Sequence, residues 1–100
     1  MIRGTTPIHM FTLPFAVDDV AEARVIYGQF GHDRLIKTSQ DLDMDGNEIR
    51  CVLTQEETLS FSCKHPVEIQ IRVLTTSGVV MASDIMTVDV GRCLDSEVIG

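Results

Sequence analysis

Tryptophan is absent from these 100 residues, and the aromatic side chains amount to one tyrosine and four phenylalanines. A sugar-binding platform built from stacked rings has little to draw on. Basic residues are scarce as well, eight lysines and arginines against fifteen aspartates and glutamates, for a net charge of −7. Those eight are scattered from Arg3 to Arg92 without a cluster, so the chain would repel a phosphate backbone and nucleic acid is not an expected partner. No apolar run reaches the roughly 18 residues that cross a bilayer, and Met1–Pro7 lacks the apolar segment of a secretory signal. No membrane partner is expected, and the expected location is the cytoplasm during expression.

Cysteine is sparse and odd in number. Cys51, Cys63 and Cys93 leave at least one thiol unpaired, so reduced thiols are expected in place of a disulfide framework. The three prolines, Pro7, Pro14 and Pro66, are too few and too dispersed for a linker, and no repeat or low-complexity tract divides the chain. One domain is expected over residues 1–100, with 1–7 as an N-terminal arm and 91–100 as a C-terminal tail.

What is present is a composition of 44% hydrophobic and 23% charged residues, enough apolar side chain to build a core. Apolar residues recur at every second position, the period of a strand with one buried face. Val67, Ile69, Ile71 and Val73 alternate with Glu68, Gln70 and Arg72. Ala23, Val25 and Tyr27 alternate with Glu22, Arg24 and Ile26, and Ile49, Cys51 and Leu53 with Arg50 and Val52. Ile8–Leu13 and Asp33–Thr38 add two shorter strands bounded by proline, glycine and polar residues.

The last strand carries a phase change. Val79 and Met81 are apolar at odd positions, whereas Met86, Val88 and Val90 are apolar at even ones, which predicts a bulge or kink at about Ser83-Asp84. Turns are expected at 28–32, at Asp45-Gly46 and at 75–78, the last making a hairpin of the two strands it joins. Helix has room for one or two short turns, at Val17–Glu22 and at Thr54–Glu57, where a threonine stands three residues before a glutamate. The pattern predicts an all-β, immunoglobulin-like antiparallel sandwich of about seven strands.

Three groups of residues imitate chemical sites. Asp41-Leu42-Asp43-Met44-Asp45-Gly46 matches the first half of a calcium loop, but the bidentate acid that should close it falls on Val52. A hairpin turning at Asp45-Gly46 uses the same residues, pairing Leu42 with Ile49 and Asp41 with Arg50. Cys51, Cys63, His65 and Cys93 are enough in number for zinc, but lack the close cysteine pair of a structural site, and Cys51 alternates with core positions. His9, His32 and His65 have no nucleophile announced beside them and are expected at surface or edge positions. No catalytic, metal or cofactor-binding residue is assigned. Ile26, Ile36 and Val52, apolar on strand faces that should be wet, are the candidate interface residues.

The run Arg3-Gly4-Thr5-Thr6-Pro7 with Phe11-Thr12-Leu13-Pro14-Phe15 resembles the start of a group of short proteins encoded in prophages of Gram-positive bacteria. The resemblance continues through Arg24–Tyr27, Leu53–Phe61, Val67–Thr75 and Ala82–Ile85. The Leu53–Phe61 stretch is also similar to immunoglobulin-like modules at the N-terminal ends of phage baseplate and tail proteins. The resemblance implies a non-enzymatic structural or assembly component of a virion, acting on other phage structural proteins or as a homo-oligomer, and it supplies no catalytic residues to carry over. A carbohydrate-binding module is the alternative expectation, to be revived by specific glycan binding. A metal-dependent or hydrolytic enzyme ranks last.

Overall fold

In the computed structural model the backbone is described over residues 1–100 and the side chains at every position except Arg34. Eight strands form: β1 (Ile8–Thr12), β2 (Val20–Gln29), β3 (His32–Thr38), β4 (Leu42–Asp45), β5 (Glu48–Val52), β6 (Val67–Thr75), β7 (Val80–Ala82) and β8 (Met86–Val88). All their pairings are antiparallel. One sheet has the order β1-β5-β4. The other has the order β3-β2-β6, with β7 and β8 following one another along the far side of β6. The chain measures 46 × 30 × 17 Å, and the shortest dimension fits two sheets packed face to face. The expected all-β sandwich is therefore the fold.

Alternation decides what each sheet buries. Ala23, Val25 and Tyr27 of β2 and Val67, Ile69, Ile71 and Val73 of β6 turn to the interior, where they meet Ile49 and Cys51 of β5. Each valine and isoleucine among them, withdrawn from water, contributes on the order of 1.5–3 kcal/mol before conformational entropy is charged against it. Leu13, Leu42, Leu53, Phe61 and Val90 close the core from the connections and strand ends.

Register follows the turns. β4 and β5 do form a hairpin, but Asp45 pairs with Glu48, so the central residues are Gly46-Asn47 and not Asp45-Gly46. Leu42 accordingly meets Cys51, and Asp43, not Asp41, meets Arg50. The slip is two residues along the partner strand, so every side chain keeps its face. Gly46 takes φ +62° in the first central position, as a type II′ turn requires, and Asn47 is held by β1, since Leu13 N–H donates to its carbonyl at 2.7 Å.

The phase change in the last strand is present. β7 pairs as Arg72 with Ala82, and β8 pairs as Ile69 with Met86, which leaves one residue too many between them for a continuous ladder. Ser83 absorbs the slip. Its amide donates to the Ile71 carbonyl at 2.9 Å, while its Oγ accepts the Ile71 amide at 3.1 Å and donates to the Asp84 carbonyl at 2.9 Å. A side chain thus takes over one rung of the sheet.

Two of the three helical turns fall where the sequence places them. α1 (Gln55–Leu59) starts at Thr54, whose Oγ1 accepts from Glu57 N–H at 3.1 Å while Glu57 accepts from Thr54 N–H at 2.8 Å. Val17–Asp19 is a 3-10 turn, and a further one at Ser39–Asp41 joins β3 to β4, closed by the Asp41 carboxylate on Thr38 N–H. Two buried polar side chains pin the connections. Gln29 donates to the Ser62 and His65 carbonyls and accepts from Ser62 N–H, and Thr58 ties Gly4 and Thr5 of the N-terminal arm to α1.

Candidate interaction surface

The two layers are unequal in width. Three strands cover a sheet that is four strand-positions wide, so the margin formed by β7 and β8 projects past β1. Val88 of that margin still packs against the core, but two other inward-turned residues are only partly covered. Met81, paired with core residue Val73, is 39% exposed, and Met86, paired with core residue Ile69, is 40% exposed. Between this margin and β1 lies an apolar groove of about 420 Å³. Ile71, Val73, Met81 and Met86 line one side of it, and Phe11, Leu13 and Phe15 the other. Among the described residues, no charged side chain lines it.

β1 borders the groove with an open backbone edge. Leu13 N–H donates to Asn47, and Leu53 N–H donates to Pro7, so the odd-numbered residues of β1 turn their peptide groups toward β5. The N–H and C=O groups of Ile8, Met10 and Thr12 point to the other side, where no strand pairs. The remaining edges are each interrupted. β4 is four residues long and carries Asp43 and Asp45, β3 carries Asp33 and Lys37 beside a register shift, and β7 and β8 are three residues apiece. These are the devices that protect sheet edges from unwanted pairing, and β1 has neither charge nor bulge.

The segments 10–19 and 81–90, which supply most of the groove's lining, contain Asp18, Asp19, Asp84 and Asp89, all exposed, and no lysine or arginine. Arg50, opposite Met10, and Arg72, opposite Ala82, stand on the outer faces of their sheets, and the N-terminal ammonium donates to the Asp89 carbonyl.

The candidate interface residues divide between the two outer faces. Ile26 and Ile36 are directly opposed on the outside of the larger sheet, with Ile85 close by Ile26, and Val52 lies on the outside of the smaller sheet opposite Ile8. Ile36 is 47% and Val52 44% exposed, so both are as wet as the alternation implied, but they form no single patch and neither borders the groove. The groove residues read as core in the sequence. Their periodicity is that of a buried face, and only the count of strands in the opposite sheet reveals that part of that face is uncovered.

Phe30 falls within the turn expected at 28–32, with a backbone conformation that the sequence did not announce. It occupies the tip of the β2–β3 hairpin with φ +57°, ahead of Gly31 at +74°, and is 52% exposed, its ring meeting His65 edge-on at 4.5 Å. A phenylalanine in the left-handed region is a strained choice where asparagine or glycine is usual.

The residues that imitated chemical sites are placed as follows. Cys51 is buried, as its alternation implied, and takes part in a polar chain through the core: the Tyr27 hydroxyl donates to Cys51 Sγ at 3.4 Å and stands 2.8 Å from His9 Nδ1. His9 does lie on an edge strand, but its ring turns inward onto Tyr27. Burial raises the Cys51 thiol and, with the Cys51 hydrogen bond, the Tyr27 phenol, whereas burial and then the N-terminal ammonium hold His9 below 6.5. A thiol held protonated is a poor nucleophile, so the chain acts as a strut joining the two sheets. The Lys37 ammonium, 2.7 Å from Glu57, links β3 to α1. Cys63 is exposed and Cys93 partly so. Among the described residues no three His, Cys, Asp or Glu side chains converge as a metal site, and Asp41, Asp43 and Asp45 are distributed between a cap and the hairpin.

No helix among the described residues is long and apolar enough to cross a membrane. Compared with known proteins, the chain matches no family model, no curated protein and no solved structure.

Proposed function

We propose that this protein is a non-enzymatic interaction module, which docks a protein partner in the groove beside β1 and serves as a structural or assembly component of a phage particle. The observation that carries the docking reading is the uncovered margin. Inward-facing Met81 and Met86 are left wet beside an open, uncharged strand edge, in a chain that protects its other edges. Its setting in a phage particle rests on the resemblance of Arg3–Pro7, Phe11–Phe15 and the later segments alone. A sugar-binding reading finds less to stand on, since Phe30 is the single exposed aromatic among the described residues.

The test is size-exclusion chromatography with light scattering, together with pull-down against purified products of the neighbouring genes, using the natural chain and Met81→Glu. The expected result is a complex with a tail or baseplate protein that Met81→Glu weakens at least about tenfold. A monomer that binds none of those proteins, or a complex indifferent to Met81→Glu, would overturn the reading.

A further inference from the structure

We infer that the groove receives an extended segment of another protein, which adds to β1 as a fourth strand of the smaller sheet, with apolar side chains at alternate positions and basic residues at its flanks. The inference rests on the groove being a docking surface and specifies what docks there.

The backbone requirement comes from β1. The N–H and C=O groups of Ile8, Met10 and Thr12 present alternating donors and acceptors along an open edge, a pattern that another extended backbone completes rung by rung. The side-chain requirement comes from the floor. A strand laid beside β1 would turn every second residue onto Met81, Met86, Ile71 and Val73, a floor with no charged side chain among the described residues that line it. Its other residues would face outward beside Ile8, Met10 and Thr12.

The flanking charge follows from complementarity. Asp18 and Asp19 lie beyond Phe15 and Asp84 beside Ser83, in a chain of net charge −7, whereas Arg50, opposite Met10, and Arg72, opposite Ala82, belong to neighbouring strands, and Arg50 is paired with Glu48. Lysine or arginine just outside the paired stretch would steer encounter and fix orientation. A second copy of this chain fits less well. Beneath its own β1 the sandwich is already filled by β6, so two projecting margins would compete for one layer if β1 paired with β1. Its segments 10–19 and 81–90 would also set aspartates against aspartates.

The experiment titrates the isotopically labelled full chain with a synthetic peptide of about ten residues, alternating valine and threonine with a lysine pair at each end. Amide exchange at Ile8, Met10 and Thr12 is expected to slow by about tenfold or more, while amides of His9 and Phe11, already bonded to β5, change little. Met10→Pro removes an edge donor that the fold itself does not use, and is expected to abolish binding where Met10→Ala does not. Met86→Lys, which leaves the β1 ladder untouched, is expected to abolish it independently. A peptide with glutamate pairs in place of the lysines is expected to bind about tenfold more weakly at low salt, the gap closing as salt is added.

Peptide binding that leaves the three amides unchanged, or that survives Met10→Pro, overturns strand addition while the docking reading stands on its pull-down. Failure of both peptides overturns it as well. Protection of the same amides in the protein alone, growing with concentration, overturns it in favour of a second copy. Equal binding of the two peptides overturns the basic flanks.

Discussion

At the residue scale, the polar chain through the core makes stability depend on pH in a definite direction. His9 titrates below 6.5 in the fold because burial, and then the N-terminal ammonium, disfavour its charged form. Unfolded, it binds a proton at about 6.5 that the folded protein refuses. Its contribution is therefore complete above that value, declines as pH falls below it and levels off beneath the folded pKa. Glu57 acts lower. Burial raises its pKa, but hydrogen bonds from Lys37 and Thr54 outweigh that and hold it below 4.5, so its stabilisation is present above 4.5 and lost as pH falls through the folded value. Urea unfolding at about pH 7.5 and about pH 5.5 is expected to show a lower midpoint in acid, and His9→Asn is expected to remove most of the difference. A second expectation concerns Gly46. At φ +62° with open space where a Cβ would stand, Gly46→Ala costs conformational strain alone, about 1 kcal/mol by denaturant titration.

Residues of this kind were unevenly legible. Cys51 was readable as core because it alternates with Ile49 and Leu53. His9 was not readable as an inward residue, because a lone histidine in a short strand carries no phase, and its partner Tyr27 lies 18 positions away on another strand. The turn that holds Phe30 was legible, but its place at the tip was not, since that depends on the pairing of Gln29 with His32.

Among the elements, the last strand was the most legible. A change of apolar parity between Met81 and Met86 demanded one surplus residue, and β7 and β8 pair with β6 in registers that differ by one. The serine that bridges the break could not be read from parity, which locates a slip without naming the group that repairs it. Ser83→Ala removes the Oγ bond to the Ile71 amide and is expected to destabilise by about 1–2 kcal/mol, with faster exchange at Ile71 as the local signature. In the β4–β5 hairpin, alternation fixed which side chains face the core but not which two residues turn. The choice between Asp45-Gly46 and Gly46-Asn47 is made by Leu13 and Asn47, 34 positions apart, and lies beyond any local pattern.

For the whole molecule, periodicity identified the ribbons without apportioning them to layers. Three strands against four positions is a property of topology, and the groove arises from that inequality. Because Met81 and Met86 are already wet, Met81→Glu is expected to change unfolding free energy by within about 0.5 kcal/mol, whereas Val73→Ala, one strand over and 4% exposed, is expected to cost about 2–3 kcal/mol. Similar losses for both variants in chemical denaturation would mean that the margin is covered after all.

β6 is the shared ribbon of its sheet, gripping β7 at one end and β8 at the other. The peptide link between them, at Asp84 and Ile85, is exposed and belongs to neither ladder. Severing it would leave the C-terminal piece clasped by β6 of the other, and held also by the Gln55 amide on Ile99 and by the N-terminal arm on Gly91. Protease cleavage there would give a nicked protein that holds together until it is denatured.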